Sequence, residues 1–103
     1  MKAWLAVLLG FFILAPAVAQ VPGRPVNIVV PVGPGGGTDL LAREAAKRLA
    51  DLWSQSVVVE NRSGAAGLVG AQSVIRSAPD GNTLLFTHDG VITATPVLYK
   101  RPD

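Results

Sequence analysis

Apolar residues occur along the chain in short runs separated by amphipathic segments. Residues 26–32 are β-branched and nearly continuous in apolar character, which is typical of a strand buried on both faces. The runs at 57–59 and 83–87 predict a second and a third strand. Between these two strands, Ala-Pro-Asp-Gly-Asn at 78–82 predicts a turn in which Asp80 caps locally and Gly81 takes a positive φ.

Helical spacing appears after each of the first two strands. The first helix is predicted from an N-cap at Thr38 or Asp39 to about Trp53, and the second from Leu68 to about Ser77. Four apolar residues of the first helix share a stripe: Leu41, Ala45, Leu49 and Leu52. Five charged residues decorate its other face: Arg43, Glu44, Lys47, Arg48 and Asp51. Residues 91–99 are ambiguous and indicate only a turn of helix before Pro96.

The order of elements is βαβαβ, which predicts an α/β fold with a parallel sheet and right-handed crossovers. A parallel sheet of three strands leaves two open edges that need protection. A unit of this size and kind more naturally forms one lobe of a larger protein.

The first nineteen residues have the three parts of a secretory signal peptide. Lys2 is followed by an uncharged apolar run over 3–14, by Pro16 and by the small residues Ala17-Val18-Ala19. A retained membrane anchor is the alternative, but a spanning helix needs about 20 apolar residues and this run is shorter. We expect cleavage after about Ala19 and an exported chain comprising residues 20–103.

Composition excludes several classes of function. The chain has nine Lys and Arg against seven Asp and Glu, and Lys2 lies in the predicted signal peptide. The exported part is thus close to neutral, so nucleic acid is not an expected partner. There is no cysteine and only one histidine, which excludes disulfides, thiolate sites and a multi-histidine metal site. No cofactor or metal is expected.

Three loops are predicted to meet at one edge of the sheet, because parallel strands all end there. They comprise residues 33–39, 61–67 and 87–90. The first two are rich in glycine and run directly into helix N-termini, where free N–H groups and the helix dipole favour an anion. This arrangement predicts that a carboxylate is bound without Arg or Lys.

A nucleotide-binding enzyme is the main alternative. No Lys follows the glycines, so the loop is not a Walker A motif, and Thr38 stands where the last glycine of a dinucleotide fingerprint belongs. Glu60 does lie where a ribose-binding acid would be, at the end of the second strand. Export argues against nucleotide use, and the lone His88 has no nucleophile in a recognisable setting. We therefore expect a protein that is not an enzyme.

Three segments, at 31–39, 57–67 and 78–85, together resemble the tripartite tricarboxylate transporter substrate-binding proteins, or Bug family. The resemblance implies the N-terminal lobe of a type II-like periplasmic binding protein fold, in which two α/β lobes enclose a cleft. It also implies capture of a small carboxylated solute and its delivery to membrane permease subunits. Family members are much longer, so we expect the second lobe to be absent from this chain.

The resemblance assigns ligand contacts to all three loops. Those residues are Gly35, Gly36, Gly37, Thr38, Asp39, Gly64, Ala65, Ala66, Gly67, Thr87, His88 and Asp89. His88-Asp89 departs from the small residues usual in the family, and a carboxylate at Asp89 would repel an anionic ligand. Three explanations stay open: Asp89 points away, His88 is protonated beside it, or the ligand is not a simple dicarboxylate.

A single lobe is expected to bind weakly. Micromolar affinity corresponds to about −8.2 kcal/mol, and loss of half of that would leave millimolar binding at best. A non-functional remnant that folds poorly is a further hypothesis, and cooperative unfolding would reject it.

Overall fold

The computed structural model describes residues 22–99, in which strands and helices alternate as the pattern predicts. The strands are β1 (Val26–Val30), β2 (Val57–Asn61) and β3 (Thr83–Leu85). The helices are α1 (Gly37–Trp53), α2 (Leu68–Ile75) and α3 (Asp89–Leu98), with a 3₁₀ turn at Ala65–Gly67 before α2. The predicted signal peptide and its cleavage site after Ala19 lie outside the described residues.

The three strands form one parallel sheet in the order β2-β1-β3. Ile28 of the central strand lies opposite Val59 on one side and Leu84 on the other. Main-chain hydrogen bonds continue both ladders past the strand ends, where the N–H groups of Arg62 and Phe86 donate to β1 carbonyl oxygens at 2.8 and 2.9 Å. The predicted α/β class with a parallel βαβαβ unit is confirmed.

The core lies between α1 and one face of β1. Val26, Ile28 and Val30 of the strand are buried against Ala42 and Ala46 of the helix. Small side chains on this face let the helix backbone approach the sheet closely.

The apolar stripe predicted for α1 does not face the sheet as a whole. Leu49 packs against the core, but Leu41 and Leu52 are 65% and 76% exposed. The stripe that faces the core comprises buried Ala42 and Ala46 together with partly buried Leu49 and Trp53.

The second half of the chain differs from prediction at three boundaries. α2 ends at Ile75, two residues early, and β3 ends at Leu85 although the Phe86 N–H still bonds to β1. The larger difference is α3, which continues through Pro96 to Leu98. Proline removes one N–H donor from a helix, yet the Tyr99 N–H still donates to the Thr95 carbonyl at 3.0 Å.

The turn at 78–82 forms as predicted. Gly81 has φ of 79°, and Asp80 accepts a hydrogen bond from the Asn82 N–H at 2.9 Å. Asp80 also pairs with Arg24 at 3.1 Å, which joins this turn to the segment before β1.

Candidate functional site

The loops that follow the three strands meet at the carboxyl edge of the sheet around one cavity of about 470 Å³. Its walls are formed by Pro31, Val32, Gly33, Ser63, Gly64, Ala66, Gly67, His88, Gly90, Ala94, Thr95 and Leu98. Every strand therefore contributes its following loop, as the parallel topology predicts. The volume lies within the range of about 300–1,000 Å³ that is usual for small-molecule sites.

The loop after β1 reaches the cavity only through its first residues. Gly33 lines the wall together with buried Pro31 and with Val32. The predicted site residues Gly35, Gly36, Gly37, Thr38 and Asp39 belong to the same loop and the first turn of α1, but they do not line this cavity.

Asp39 is instead part of a buried hydrogen-bond network at the start of α1. Its side chain accepts from the Gly35 N–H at 2.9 Å, from Arg43 Nε at 3.1 Å and from Asn61 Nδ2 at 2.9 Å. Only 2% of the residue is exposed. Asn61 also donates to the Val32 carbonyl at 3.1 Å, so the network ties the loop after β1 to the end of β2.

These partners favour the charged form of the carboxylate. The hydrogen bond from Arg43, followed by those from Gly35 and Asn61, lowers the pKa of Asp39 from 3.8 to about 2. A negative charge in the first turn also compensates the positive end of the α1 dipole. Asp39 therefore acts as the internal anion for the N-terminus of α1.

The loop after β2 has an unusual backbone. Four consecutive residues have positive φ: Gly64 at 133°, Ala65 at 48°, Ala66 at 51° and Gly67 at 92°. The left-handed region costs an L-residue about 1–2 kcal/mol, so the two alanines are held there by surrounding structure. The Gly67 N–H donates to the Gly64 carbonyl at 3.0 Å and closes the turn.

Free main-chain donors accompany this conformation. The N–H groups of Gly64, Ala65 and Ala66 have no hydrogen-bond acceptor among residues 22–99. Gly64, Ala66 and Gly67 line the cavity, whereas Ala65 does not. Unpaired N–H groups before a helix start are what an anion requires.

Helix α3 covers the loop from the side of β3. Thr95 is 2% exposed, and its Oγ1 donates to the Ala66 carbonyl at 2.8 Å. A side chain on Gly67 would meet Val91 at 2.6 Å, so only glycine permits this contact. The packing of α3 therefore depends on both Gly67 and Thr95.

His88 and Asp89 lie in different environments at the start of α3. His88 lines the cavity, and its ring lies beside Gly90. Asp89 is exposed, does not line the cavity, and accepts from the Gly90 N–H at 2.9 Å. The third residue predicted for this loop, Thr87, is also outside the lining. Of the three explanations for His88-Asp89, this arrangement fits an Asp89 that points away.

The polar side chains of the cavity wall are few, namely Ser63, His88 and Thr95. The Thr95 hydroxyl is already engaged, so most polar contacts would come from the backbone. Within residues 22–99 there is no cluster of His, Asp or Glu able to hold a metal ion. In the same residues, no helix is long and apolar enough to cross a membrane.

Glu60, the residue behind the nucleotide alternative, is engaged in the sheet. Its carboxylate accepts from Arg62 Nε at 2.7 Å and from Asn27 Nδ2 at 3.0 Å. These bonds, the Arg62 bond first, lower the pKa of Glu60. Its acceptors are thus used within the fold, which weakens its assignment to a ribose.

Several lining residues were not predicted from the sequence. Ala94, Thr95 and Leu98 belong to α3, whose extent the presence of Pro96 concealed. Ser63 lies inside a predicted loop, and its position directly before Gly64 was the available signal.

Comparison with known proteins identifies similar chains of greater length. The family model described as tripartite tricarboxylate transporter family receptor matches residues 41–102. A UPF0065 protein of Bordetella pertussis is 43% identical over 80 residues, covering 78% of this chain and 25% of that protein. Protein BugT of the same organism is 42% identical over 89 residues, covering 81% of this chain and 27% of that protein.

Solved structures also match this chain over part of their length. The structure of R. palustris Rpa4515 with adipate aligns with a TM-score of 0.62 and 44% identity, covering 64% of this chain and 22% of that one. The periplasmic binding protein BugD aligns with a TM-score of 0.59 and 47% identity, covering 62% and 21%. The present chain thus spans about a quarter of the length of the curated relatives it matches.

Proposed function

From the premise that this chain belongs to the tripartite tricarboxylate transporter family receptors, we propose that it forms the ligand-contacting edge of a periplasmic solute receptor. Its ligand is a small carboxylated metabolite, and the receptor delivers it to membrane permease subunits. The protein acts by binding and does not catalyse a reaction.

One observation carries this proposal: loops from all three parallel strands line a single cavity, beside main-chain N–H groups that have no acceptor in the described part of the chain. A carboxylate offers several acceptor lone pairs and a negative charge, so it satisfies these donors and the dipole of the following helix. The relative solved with adipate, a dicarboxylate, supports the same ligand class.

The ligand contacts proposed here are drawn from the predicted set. Gly64, Ala66, Gly67 and His88 line the cavity, and we propose them as the direct ligand contacts. Ala65 contributes a free N–H group from the same turn. Five other predicted residues lie in the adjoining loops outside the lining and would meet ligand only at the rim: Gly35, Gly36, Gly37, Thr38 and Thr87. Asp39 is buried in its own network and Asp89 points away from the cavity, so neither is proposed as a direct contact.

The test is a titration of the ¹⁵N-labelled chain with adipate, followed by amide chemical shifts. We expect saturable shifts at Gly33, at 64–67 and at His88, with a millimolar dissociation constant because one lobe supplies only part of the contacts. Adipamide has the same length without charge and serves as the ligand control. Equal shifts with adipamide, or no saturable shift with adipate, would refute carboxylate binding, and micromolar affinity would refute the expected weakness.

A pair of variants distinguishes a local effect at the cavity wall from a general effect of changing the charge of the protein. His88→Gln removes an ionisable side chain from the wall, and we expect weaker adipate binding. Arg48→Gln is the control, because Arg48 pairs with Glu44 on α1 and does not line the cavity. If both variants weaken binding equally, His88 has no local role.

Export is tested separately. We expect the product of the full gene to be recovered in the periplasm of a bacterial host, with an N-terminus near Gln20. An intact N-terminus in the cytoplasm would contradict the proposed location. Cooperative unfolding of the recovered product would at the same time reject a poorly folded remnant.

A further inference from the structure

We propose that Thr95 is a positioning residue that holds the main-chain donors of the turn at 64–67 in their binding geometry. This inference rests on the proposed function for its meaning, but the geometry of the turn can be measured without any ligand.

Thr95 acts on one peptide unit, the one that joins Ala66 to Gly67. The carbonyl oxygen of that unit accepts the Thr95 Oγ1 hydrogen bond at 2.8 Å, and its N–H donates to the Gly64 carbonyl at 3.0 Å. Both ends of the peptide plane are therefore fixed. A rotation of this plane would break the two bonds together.

The neighbouring peptide units are the ones with free donors. The N–H groups of Ala65 and Ala66 have no acceptor among residues 22–99, and both alanines are in the left-handed region. An alanine leaves that region readily unless other contacts prevent it. Holding the next peptide plane is a direct way to prevent it, and the Thr95 bond does so from a different helix.

Because Thr95 is buried, its hydroxyl has few possible hydrogen-bond partners. The residue is 2% exposed in α3, and its hydroxyl has a second, longer approach to the Gly90 carbonyl at 3.4 Å. Within the described chain, the hydroxyl therefore has only main-chain acceptors. Thr93, two residues earlier, is exposed and donates to the Asp89 carbonyl at 3.0 Å within the same helix.

The test compares Thr95→Ser with Thr95→Ala in the full chain. Serine and alanine both lack the γ-methyl group, so the pair isolates the hydroxyl. We expect Thr95→Ser to keep the Cα and Cβ chemical shifts of Ala65 and Ala66 at left-handed values, and Thr95→Ala to move both towards extended or right-handed values. Adipate binding should weaken about tenfold in Thr95→Ala and recover in Thr95→Ser.

Thr93→Ala is the matched control, and it should leave the shifts of Ala65 and Ala66 unchanged. Left-handed shifts that persist in Thr95→Ala would overturn the proposal. Loss of cooperative unfolding in Thr95→Ala but not in Thr95→Ser would also overturn it, because the hydroxyl would then hold the whole fold. If the wild-type chain binds no carboxylate, the proposed function fails, whereas the chemical shifts still decide the role of Thr95.

Discussion

Gly70 is the point at which α2 approaches the end of β1 most closely, and we predict that Gly70→Ala destabilises the protein. An added Cβ would lie 2.7 Å from the Arg62 carbonyl oxygen, 2.7 Å from Pro31 Cβ and 2.8 Å from Pro31 Cα. Favourable separation between such atoms is about 3.5 Å or more, so the helix would have to move by about 1 Å. None of these atoms belongs to a side chain that can rotate away.

The magnitude follows from two opposing terms. Forcing an extra methyl group into a packed site costs about 1–3 kcal/mol. Alanine is favoured over glycine within a helix by about 0.8–1 kcal/mol, which offsets part of that cost. We expect a net loss of about 1 kcal/mol in the free energy of unfolding, which lowers the melting temperature of a domain this size by about 4–8 °C.

Urea unfolding followed by far-UV circular dichroism measures this loss. Gly37→Ala is the matched control, because Gly37 begins α1 and an added Cβ there meets no atom within 4 Å. That variant should be as stable as the wild type or more stable by less than about 1 kcal/mol. The reasoning is refuted if Gly70→Ala is as stable as Gly37→Ala.

Two further substitutions test the site. Asp39→Asn removes a carboxylate whose pKa is lowered to about 2, so its contribution to stability is present above about pH 4 and is lost as the pH falls towards 2. The variant should be less stable than the wild type near neutral pH and should lose less stability than the wild type on acidification, as measured by thermal unfolding between pH 2 and 6. An equal fall in melting temperature with pH in both proteins would contradict this. Ala66→Gly removes the strain of an alanine in the left-handed region and should leave the free energy of unfolding unchanged or raise it by up to about 1 kcal/mol. Ala42→Gly is the control at a buried helical position, and it should lower the free energy of unfolding in the same urea assay.

The sheet was predictable because its signals are local. A β-branched, nearly continuous apolar run can be buried on both faces only in the middle of a sheet, and residues 26–30 form the central strand. The parallel order then follows from alternation with helices, and the meeting of three loops follows from the parallel order. Each step needs only neighbouring residues and topology.

The errors in the helices arise from rules that ignore the partner surface. Helical spacing identifies large apolar residues such as Leu41 and Leu52 on α1. Close packing of the helix on the sheet instead requires small side chains at the contact, which Ala42 and Ala46 provide. The rule that proline breaks a helix predicted an end of α3 before Pro96, which is too early. Pro96 lies near the end of a ten-residue helix, where the loss of one donor is tolerated.

The contacts made by individual side chains at the site were not predictable from the local sequence pattern. Asp39 fits both a ligand contact and a helix cap when only its neighbours are considered. Its decisive partner is Asn61, at the end of the adjacent strand and 22 residues away. The left-handed alanines are equally hidden, because a local pattern assigns positive φ to glycine and gives no reason to expect it at Ala65 and Ala66.

The Asp39 network also changes which part of the edge can attract an anion. Both glycine-rich helix starts are predicted from the sequence to favour an anion, but the start of α1 already carries its own buried carboxylate, that of Asp39. A dipole contribution of about 0.3–1 kcal/mol there is thus largely compensated, whereas the turn before α2 has no acidic residue and keeps unpaired N–H groups. Under the proposed function, the attraction for a carboxylate therefore depends on the geometry of residues 64–67 more than on the number of glycines. Since that geometry includes two alanines in a costly conformation, the role proposed for Thr95 makes the contact with α3 a support of the proposed site.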